Sequence, residues 1–237
     1  TGVTQYGYDK FGRIISKTDA LGSEVTYTYD SYGRVQTIAH GDVCISYTYD
    51  ILDRVSAVTD AYGNTTTYTY DSMGRITTVS HANGMKTGYY YNTCNQVVKE
   101  TITDTEGATV MEYAYTHGLN GEILSITEQE EGIETKVTYT YDKEMRLTGE
   151  TRSQQDGSLA VTYTYDAVGN RTSKETIING DISGMVNESV TEGIVTYTYN
   201  AWNQLIRERC TGATSDYSYN ENGNLSGVSG EKDIDYI

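Results

Sequence analysis

Six carboxylates recur at one phase of this 237-residue chain: Asp9, Asp30, Asp50, Asp71, Asp142 and Asp166. A ladder of carboxylates could hold a cation or do acid–base work. Asn stands at the same phase at Asn92, Asn200 and Asn220, so what the copies share is a hydrogen-bond acceptor, not a charge. The column therefore reads as turn-forming. Four residues on from these acceptors comes a second column, Arg13, Arg34, Arg54, Arg75 and Arg146, with Gln96 and Gln204. Its guanidinium groups suit pairing with nearby carboxylates across a hairpin, or stacking on Tyr rings.

Other groups with metal or catalytic potential fall away on the same comparison. His40 and His81 share a phase with Asp19 and Asp60, which invites a metal hypothesis, but Cys210 holds that phase in a later copy. All five fall where the chain must turn back, and His117 belongs to an irregular copy. The stretch "NGDISGMVNESV" (179–190) resembles a calcium loop at Asn179, Asp181, Ser183 and Gly184, yet Val190 stands where the bidentate Glu is required. An extra hairpin or a protruding loop is the expectation there. No nucleophile motif, phosphate loop or His-Glu-x-x-His is present, so no catalytic residue, cofactor or metal is assigned and the chain reads as a non-enzyme. Cys44, Cys94 and Cys210 are odd in number and widely spaced, which fits free thiols. Asn64, Asn170, Asn187 and Asn224 open Asn-x-Ser/Thr triplets, which matter only in a secretory host.

The elements that carry these columns are set by a repeat. The leading Tyr of each copy falls at Tyr6, Tyr27, Tyr47, Tyr68, Tyr89, Tyr113, Tyr139, Tyr163, Tyr197 and Tyr217, at a basal spacing of 20 to 21. Each copy reads Tyr-x-Tyr-Asp/Asn, two variable residues, a Gly-like position, a polar residue and then usually an aliphatic one. Tyr27 and Tyr29, Tyr68 and Tyr70, and Tyr163 and Tyr165 are i, i+2 pairs. In a strand both rings face one side and the intervening Thr faces the other. Asp30, Asp71 and Asp166 then open a type I turn, and Gly33, Gly74 and Gly169 close it. The Gly-like column reads Gly12, Gly33, Asp53, Gly74, Asn95, Met145, Gly169, Asn203 and Gly223; all but Met145 are residue types that tolerate a left-handed backbone.

The reading is therefore a hairpin with a loop of three to five residues and a left-handed residue closing a bulge. A return turn follows each hairpin, at 18–24, 39–43, 59–65 and 80–86, with Asn83-Gly84 a strong turn signal. Ten such units predict roughly 20 strands in an all-β, curved single-layer spiral ribbon of antiparallel hairpins. Cross-strand Tyr contacts would replace a deep core. The array spans 1–237 as a single unit of about ten copies, with an insertion near 176–193.

Composition supports this. Tyr numbers 24 against one Phe and one Trp, which suits half-exposed sheet faces where each hydroxyl stays wet or bonded. Hydrophobic residues are only 37%, too few for a thick aliphatic core. The net charge of −16 opposes nucleic acid and anionic membranes as partners. No window is apolar enough for a spanning helix or a signal peptide.

The motif is similar to the YD repeats of the Rhs family, which includes bacterial wall-associated proteins, insecticidal toxin-complex components and the teneurins. "YTYDSYGRV" (27–35), "YTYDSMGRI" (68–76) and "YTYDAVGNRTS" (163–173) carry the match, which with degenerate copies spans about residues 6 to 225. The resemblance implies part of the wall of a hollow shell that encloses or presents a C-terminal toxin or effector, in a secreted or cell-surface protein. It also implies a segment of a longer protein, whose partners are the rest of its own shell and that effector. Members that cut themselves use a Pro-containing motif, and this chain has no Pro. The competing reading is an extracellular carbohydrate-binding or adhesion module whose exposed Tyr contact glycans or cell-surface partners. A choline-binding repeat would need Trp-rich cages, and Trp202 stands alone. A β-propeller would need a period of about 40. Unpaired strand edges at the ends of such a ribbon would favour edge-to-edge self-association.

Overall fold

A computed structural model describes residues 3–186 and 190–230. It is all-β: twenty strands in open antiparallel sheet, with the hairpin as the repeated unit. The chain divides into two compact units, Thr1–Met111 and Glu112–Ile237. In the first, the strands are β1 (Gln5–Tyr8), β2 (Ile14–Thr18), β3 (Glu24–Tyr29), β4 (Val35–His40), β5 (Val43–Tyr49), β6 (Val55–Thr59), β7 (Thr65–Tyr70), β8 (Ile76–Ser80), β9 (Lys86–Tyr91) and β10 (Val97–Thr103). After β11 (Thr109–His117), the second unit holds β12 (Ile123–Glu130), β13 (Ile133–Tyr141), β14 (Leu147–Ser153), β15 (Gly157–Tyr165) and β16 (Arg171–Gly180). It continues through β17 (Gly193–Tyr199), β18 (Leu205–Cys210), β19 (Ala213–Tyr219) and β20 (Leu225–Gly230).

Each strand's sequence explains its side chains' directions. In β3, Val25, Tyr27 and Tyr29 are half-buried while Glu24, Thr26 and Thr28 are exposed, the period-2 alternation of a pleated strand. On the Tyr face the cross-strand neighbours of the leading Tyr are aliphatic in four copies: Tyr27 opposes Ile38, Tyr47 opposes Val58, Tyr68 opposes Val79 and Tyr217 opposes Val228. In others they are charged, with Tyr6 opposite Lys17, Tyr89 opposite Glu100, Tyr139 opposite Glu150, Tyr163 opposite Lys174 and Tyr197 opposite Glu208. On the other face hydroxyls bridge the strands, as Thr28 Oγ1 to Thr37 Oγ1 at 2.6 Å, Thr69 to Thr77 at 2.9 Å and Thr164 to Thr172 at 2.7 Å. Among the described residues only Val137 and Met185 are buried apolar side chains. Sheet pairing and cross-strand contacts thus do the work that a core does elsewhere.

The two kinds of turn differ. Every hairpin that begins with Tyr-x-Tyr-Asp/Asn and has a described pairing carries a register shift just before the second Tyr, as between Gly7 and Tyr8, Thr28 and Tyr29, Thr48 and Tyr49, Thr69 and Tyr70, Thr140 and Tyr141, Thr164 and Tyr165, Thr198 and Tyr199, and Ser218 and Tyr219. One residue on the return strand, such as Gln36, then has no partner opposite. Such a bulge increases the local twist. The pairings across return turns, such as β4 with β5 and β6 with β7, run without a shift.

The sixth copy and the 34-residue gap are handled locally. In the sixth, Gly118 takes the Asp position two residues late, and Gly118 N donates to Glu122 O at 2.8 Å. The Glu122 carboxylate fills the space beside Gly118 and accepts Asn120 N at 3.0 Å, so the acid has moved from the start of the turn to its end. At the gap, β15 and β16 are long and pair from Gly157–Gly180 to Tyr165–Arg171. The residues after β16 fold back instead of protruding: Met185 is buried, Arg152 Nη1 donates to Met185 O at 3.4 Å, and Gln154 Nε2 donates to Gly184 O at 3.4 Å. Residues 187–189, which include Asn187 and part of the calcium-loop resemblance, lie outside the described residues.

Candidate functional site: the joint between neighbouring copies

The columns singled out in the sequence converge on one repeated arrangement. Asp30 illustrates it. Its backbone N–H donates to Arg34 O at 2.9 Å and its carbonyl accepts Gly33 N at 3.0 Å, which closes the turn. Its Oδ1 accepts Tyr32 N and Arg34 N, each at 2.9 Å, and Oδ2 accepts Arg34 Nε and Nη2, each at 2.7 Å. Asp50, Asp71 and Asp142 repeat this with Arg54, Arg75 and Arg146. Asp166 has Asn170 in place of the Arg, with Asn170 Nδ2 donating to Oδ2 at 2.9 Å. Where Asn replaces Asp, the geometry survives without charge: Asn92 Oδ1 accepts Cys94 N and Gln96 N, and Asn92 Nδ2 donates to Gln96 Oε1 at 2.8 Å.

The backbone that permits this has positive φ at the closing residue: 87° at Gly33, 83° at Gly74, 97° at Gly169 and also 62° at Asp53. Met145 takes the same conformation, φ 64°, at a cost that a β-carbon imposes there. Its sulfur lies 3.5 Å from Asn120 Nδ2.

The electrostatics follow from the donors. Partial burial on its own would raise the carboxyls of Asp30 and Asp71. The hydrogen bonds from Arg34 and Arg75, with those from the turn N–H groups, outweigh it and hold both below the usual carboxylate range. At Asp50 the Arg54 hydrogen bond is the leading cause, and at Asp166 it is the one from Asn170, each with the same downward result.

The guanidinium then reaches the next copy. Arg34 Cζ lies 4.5 Å from the centroid of the Tyr49 ring, Arg54 4.4 Å from Tyr70, Arg75 4.4 Å from Tyr91 and Arg146 4.8 Å from Tyr165. Arg13 stacks on Tyr29 at 4.3 Å. Both roles considered for the Arg column, ion pairing and stacking, are thus held by one side chain. A third contact was not legible: Arg54 Nη1 donates to Asp71 O at 3.3 Å and Arg146 Nη1 to Asp166 O at 3.1 Å, so each Arg also holds the backbone of the following turn.

In eight copies the second Tyr ties down its predecessor. Tyr29 Oη donates to Ile14 O at 2.6 Å, Tyr49 to Val35 O at 2.7 Å, Tyr70 to Val55 O at 2.6 Å and Tyr165 to Leu147 O at 2.7 Å. Tyr91, Tyr141, Tyr199 and Tyr219 make the same bond to Ile76, Ile123, Arg171 and Leu205. The leading Tyr differ. Tyr27, Tyr68 and Tyr163 are half-buried on the sheet face, and burial raises the Tyr163 hydroxyl, with Glu150 adding to the rise and Arg171 opposing it.

The His and Cys phase lies at the return turns. His40 Nε2 is 2.7 Å from Ser23 Oγ and His81 Nε2 is 3.2 Å from Thr87 Oγ1. The thiols of Cys44, Cys94 and Cys210 are free. No group of three metal-ligating side chains comes together among the described residues. The arrangement consists of donors, acceptors and stacked rings that couple one copy to the next.

Comparison with known proteins agrees with this geometry. Residues 8–43 and 49–84 match the RHS Repeat family model. A search of curated proteins by sequence finds no match. Among solved structures, the chain resembles the crystal structure of TcdB2-TccC3-Cdc42 with a TM-score of 0.68 at 14% identity, over 96% of this chain and 14% of that chain. The TcdB2-TccC3-TEV structure gives 0.66 at 18% identity, over 97% and 15%. TcdB2-TccC3 without its hypervariable C-terminal region gives 0.66 at 17%, over 97% and 15%. This chain therefore spans only about a seventh of the chains it resembles, and at these identities the likeness is one of fold. Its motif, its hairpin unit and the matched residues agree in identifying RHS repeats at residues 8–43 and 49–84.

Proposed function

We propose that this chain is a structural, non-enzymatic stretch of an RHS shell wall in a secreted or surface protein, and that the shell encapsulates or presents a C-terminal toxin or effector. The copies would act as one continuous array from 1 to 237. The observation that carries the reading is the joint itself. Asp–Arg pairing, Arg–Tyr stacking and the Tyr hydroxyl bond recur from copy to copy, and they give a wall that is stiff without a core and extendable by repetition. The fold shared with the TcdB2-TccC3 structures supports it, and so does the acidic surface, which disfavours nucleic acid and anionic membrane.

The test is protease protection in the full-length protein that contains this segment. The C-terminal domain should resist trypsin while the repeats are intact, and should be cut once the repeats are opened by urea or removed from the gene. Digestion at the same rate with and without the repeats would refute encapsulation.

A further inference from the structure

The longest gap in the repeat series places a second layer on the sheet. Tyr163 and Tyr197 are 34 residues apart, and part of the excess, residues 181–186 with the sequence Asp-Ile-Ser-Gly-Met-Val, lies back over β13 and β14 as a strap. It leaves β16 at Gly180, whose φ of 72° suits glycine, and Asp181 N donates to Asp156 O at 3.0 Å. Past that pivot the strap turns once, with Ser183 N donating to Asp181 Oδ1 at 2.9 Å and Met185 N to Ile182 O at 2.9 Å.

The sheet holds the strap by contacts of a general kind. Gln154 Nε2, which donates to Thr135 Oγ1 at 2.7 Å, also donates to Gly184 O at 3.4 Å, and Arg152 Nη1 donates to Met185 O at 3.4 Å. Both strap acceptors are main-chain carbonyls, which any peptide offers. The side-chain anchor is Met185, 7% exposed. Val137, 5% exposed, stands directly opposite Arg152, whereas Val25, Ile45, Val161 and Val195 at the same phase of other copies are half-buried. The strap, seated on Arg152, is therefore the cover over Val137. A β-carbon at residue 184 would come within 3.1 Å of Gln154 Oε1, so the seated segment needs a small residue before its apolar one. Met is unbranched and flexible, the kind of side chain that fills an irregular gap. A segment held by two long hydrogen bonds and one such anchor opens locally without unfolding the sheet beneath it, and another segment of the same pattern can take its seat.

We infer that the strap is autoinhibitory: it occupies a site, formed by Thr135, Val137, Arg152 and Gln154, for an extended peptide in which a small residue precedes an unbranched apolar one. A partner bearing that pattern displaces it. This goes beyond the wall role and does not depend on it. The strap's own sequence supplies the probe, the peptide Asp-Ile-Ser-Gly-Met-Val blocked at both ends, titrated into the isotope-labelled 237-residue protein and followed by two-dimensional NMR. Met185→Ser takes the anchor from the strap and leaves the site intact. That variant should bind the probe saturably, with shifts at Thr135 and Val137. It should bind about tenfold or more tighter than the parent, whose site is available only in its open fraction. Exchanging the probe's Met for Ser should abolish binding, and exchanging it for norleucine should preserve it. Hydrogen exchange separates release of the strap from unfolding: in Met185→Ser the amides of 181–186 should exchange about tenfold or more faster, with those of 139–141 and 161–165 unchanged. No saturable binding by Met185→Ser, equal binding by parent and variant, binding indifferent to the probe's Met, or exchange accelerated throughout the sheet would each overturn the assignment.

Discussion

Replacing Tyr49 by Phe removes one atom from one joint. The ring stays, so Arg34 keeps its stacking partner at 4.5 Å, and only the 2.7 Å bond from Oη to Val35 O is lost. A neutral hydrogen bond of this kind contributes roughly 0.5–1.5 kcal/mol net, and 1 kcal/mol corresponds to roughly a fivefold change in a local opening equilibrium. Because contacts run from copy to copy, the effect belongs to the hairpins on either side of the joint. Hydrogen exchange followed by mass spectrometry should show roughly fivefold faster exchange in peptides covering 30–54, with peptides covering 139–165 unchanged. Tyr49→Leu, which also removes the stacking surface, should exceed it in the same peptides. Equal exchange in Phe variant and parent would refute the idea that the hydroxyl bond couples copies. An increase spread evenly over the chain would refute the nearest-neighbour character of the fold.

Other outcomes follow from the same geometry. The Asp carboxyls of the joints lie below their unfolded values, so the stability they contribute is present above about pH 4 and is lost as pH falls through their lower folded values. Melting temperature should drop on acidification below about pH 4. The double change Asp71→Asn with Arg75→Gln, which copies the natural Asn92–Gln96 pair, should make that dependence shallower. Burial raises the hydroxyls of Tyr49 and Tyr199 above the ordinary tyrosine value, and each must stay protonated to donate to Val35 O or Arg171 O. Their stabilisation is complete below about pH 10 and lost as pH rises through the raised folded values. Alkaline melting should therefore steepen there, and a Tyr199→Phe variant should show less of it. Met145→Gly should relieve the positive φ and raise the urea midpoint by an amount equivalent to about 1 kcal/mol.

Much of this was legible in the sequence because the repeats compare themselves. Asn at 92, 200 and 220 identified the Asp column as an acceptor, and the Gly-like column located the left-handed residue in nine turns, Met145 included. The Arg column could be read as pairing or stacking, but not as both at once, since that requires knowing which ring lies one strand away. The Tyr hydroxyl bond was invisible for a physical reason. Its acceptor is a backbone carbonyl, at Ile14, Val35, Val55 or Arg171, and a carbonyl leaves no residue type to conserve. The sixth copy hid its turn by placing the acid at Glu122 and the bare backbone at Gly118.

The joint also bears on how such an array changes length. Each one takes its carbonyl and guanidinium from one copy and its hydroxyl and ring from the next, as Val35 and Arg34 do with Tyr49. Duplicating or deleting a whole copy between two joints therefore leaves every donor with an acceptor, while a cut of half a period strands a hydroxyl on one side and a carbonyl on the other. Unequal recombination in register would be tolerated by the fold and recombination out of register would not. The tyrosine hydroxyl, chemically idle, works as a ruler that admits only whole repeats.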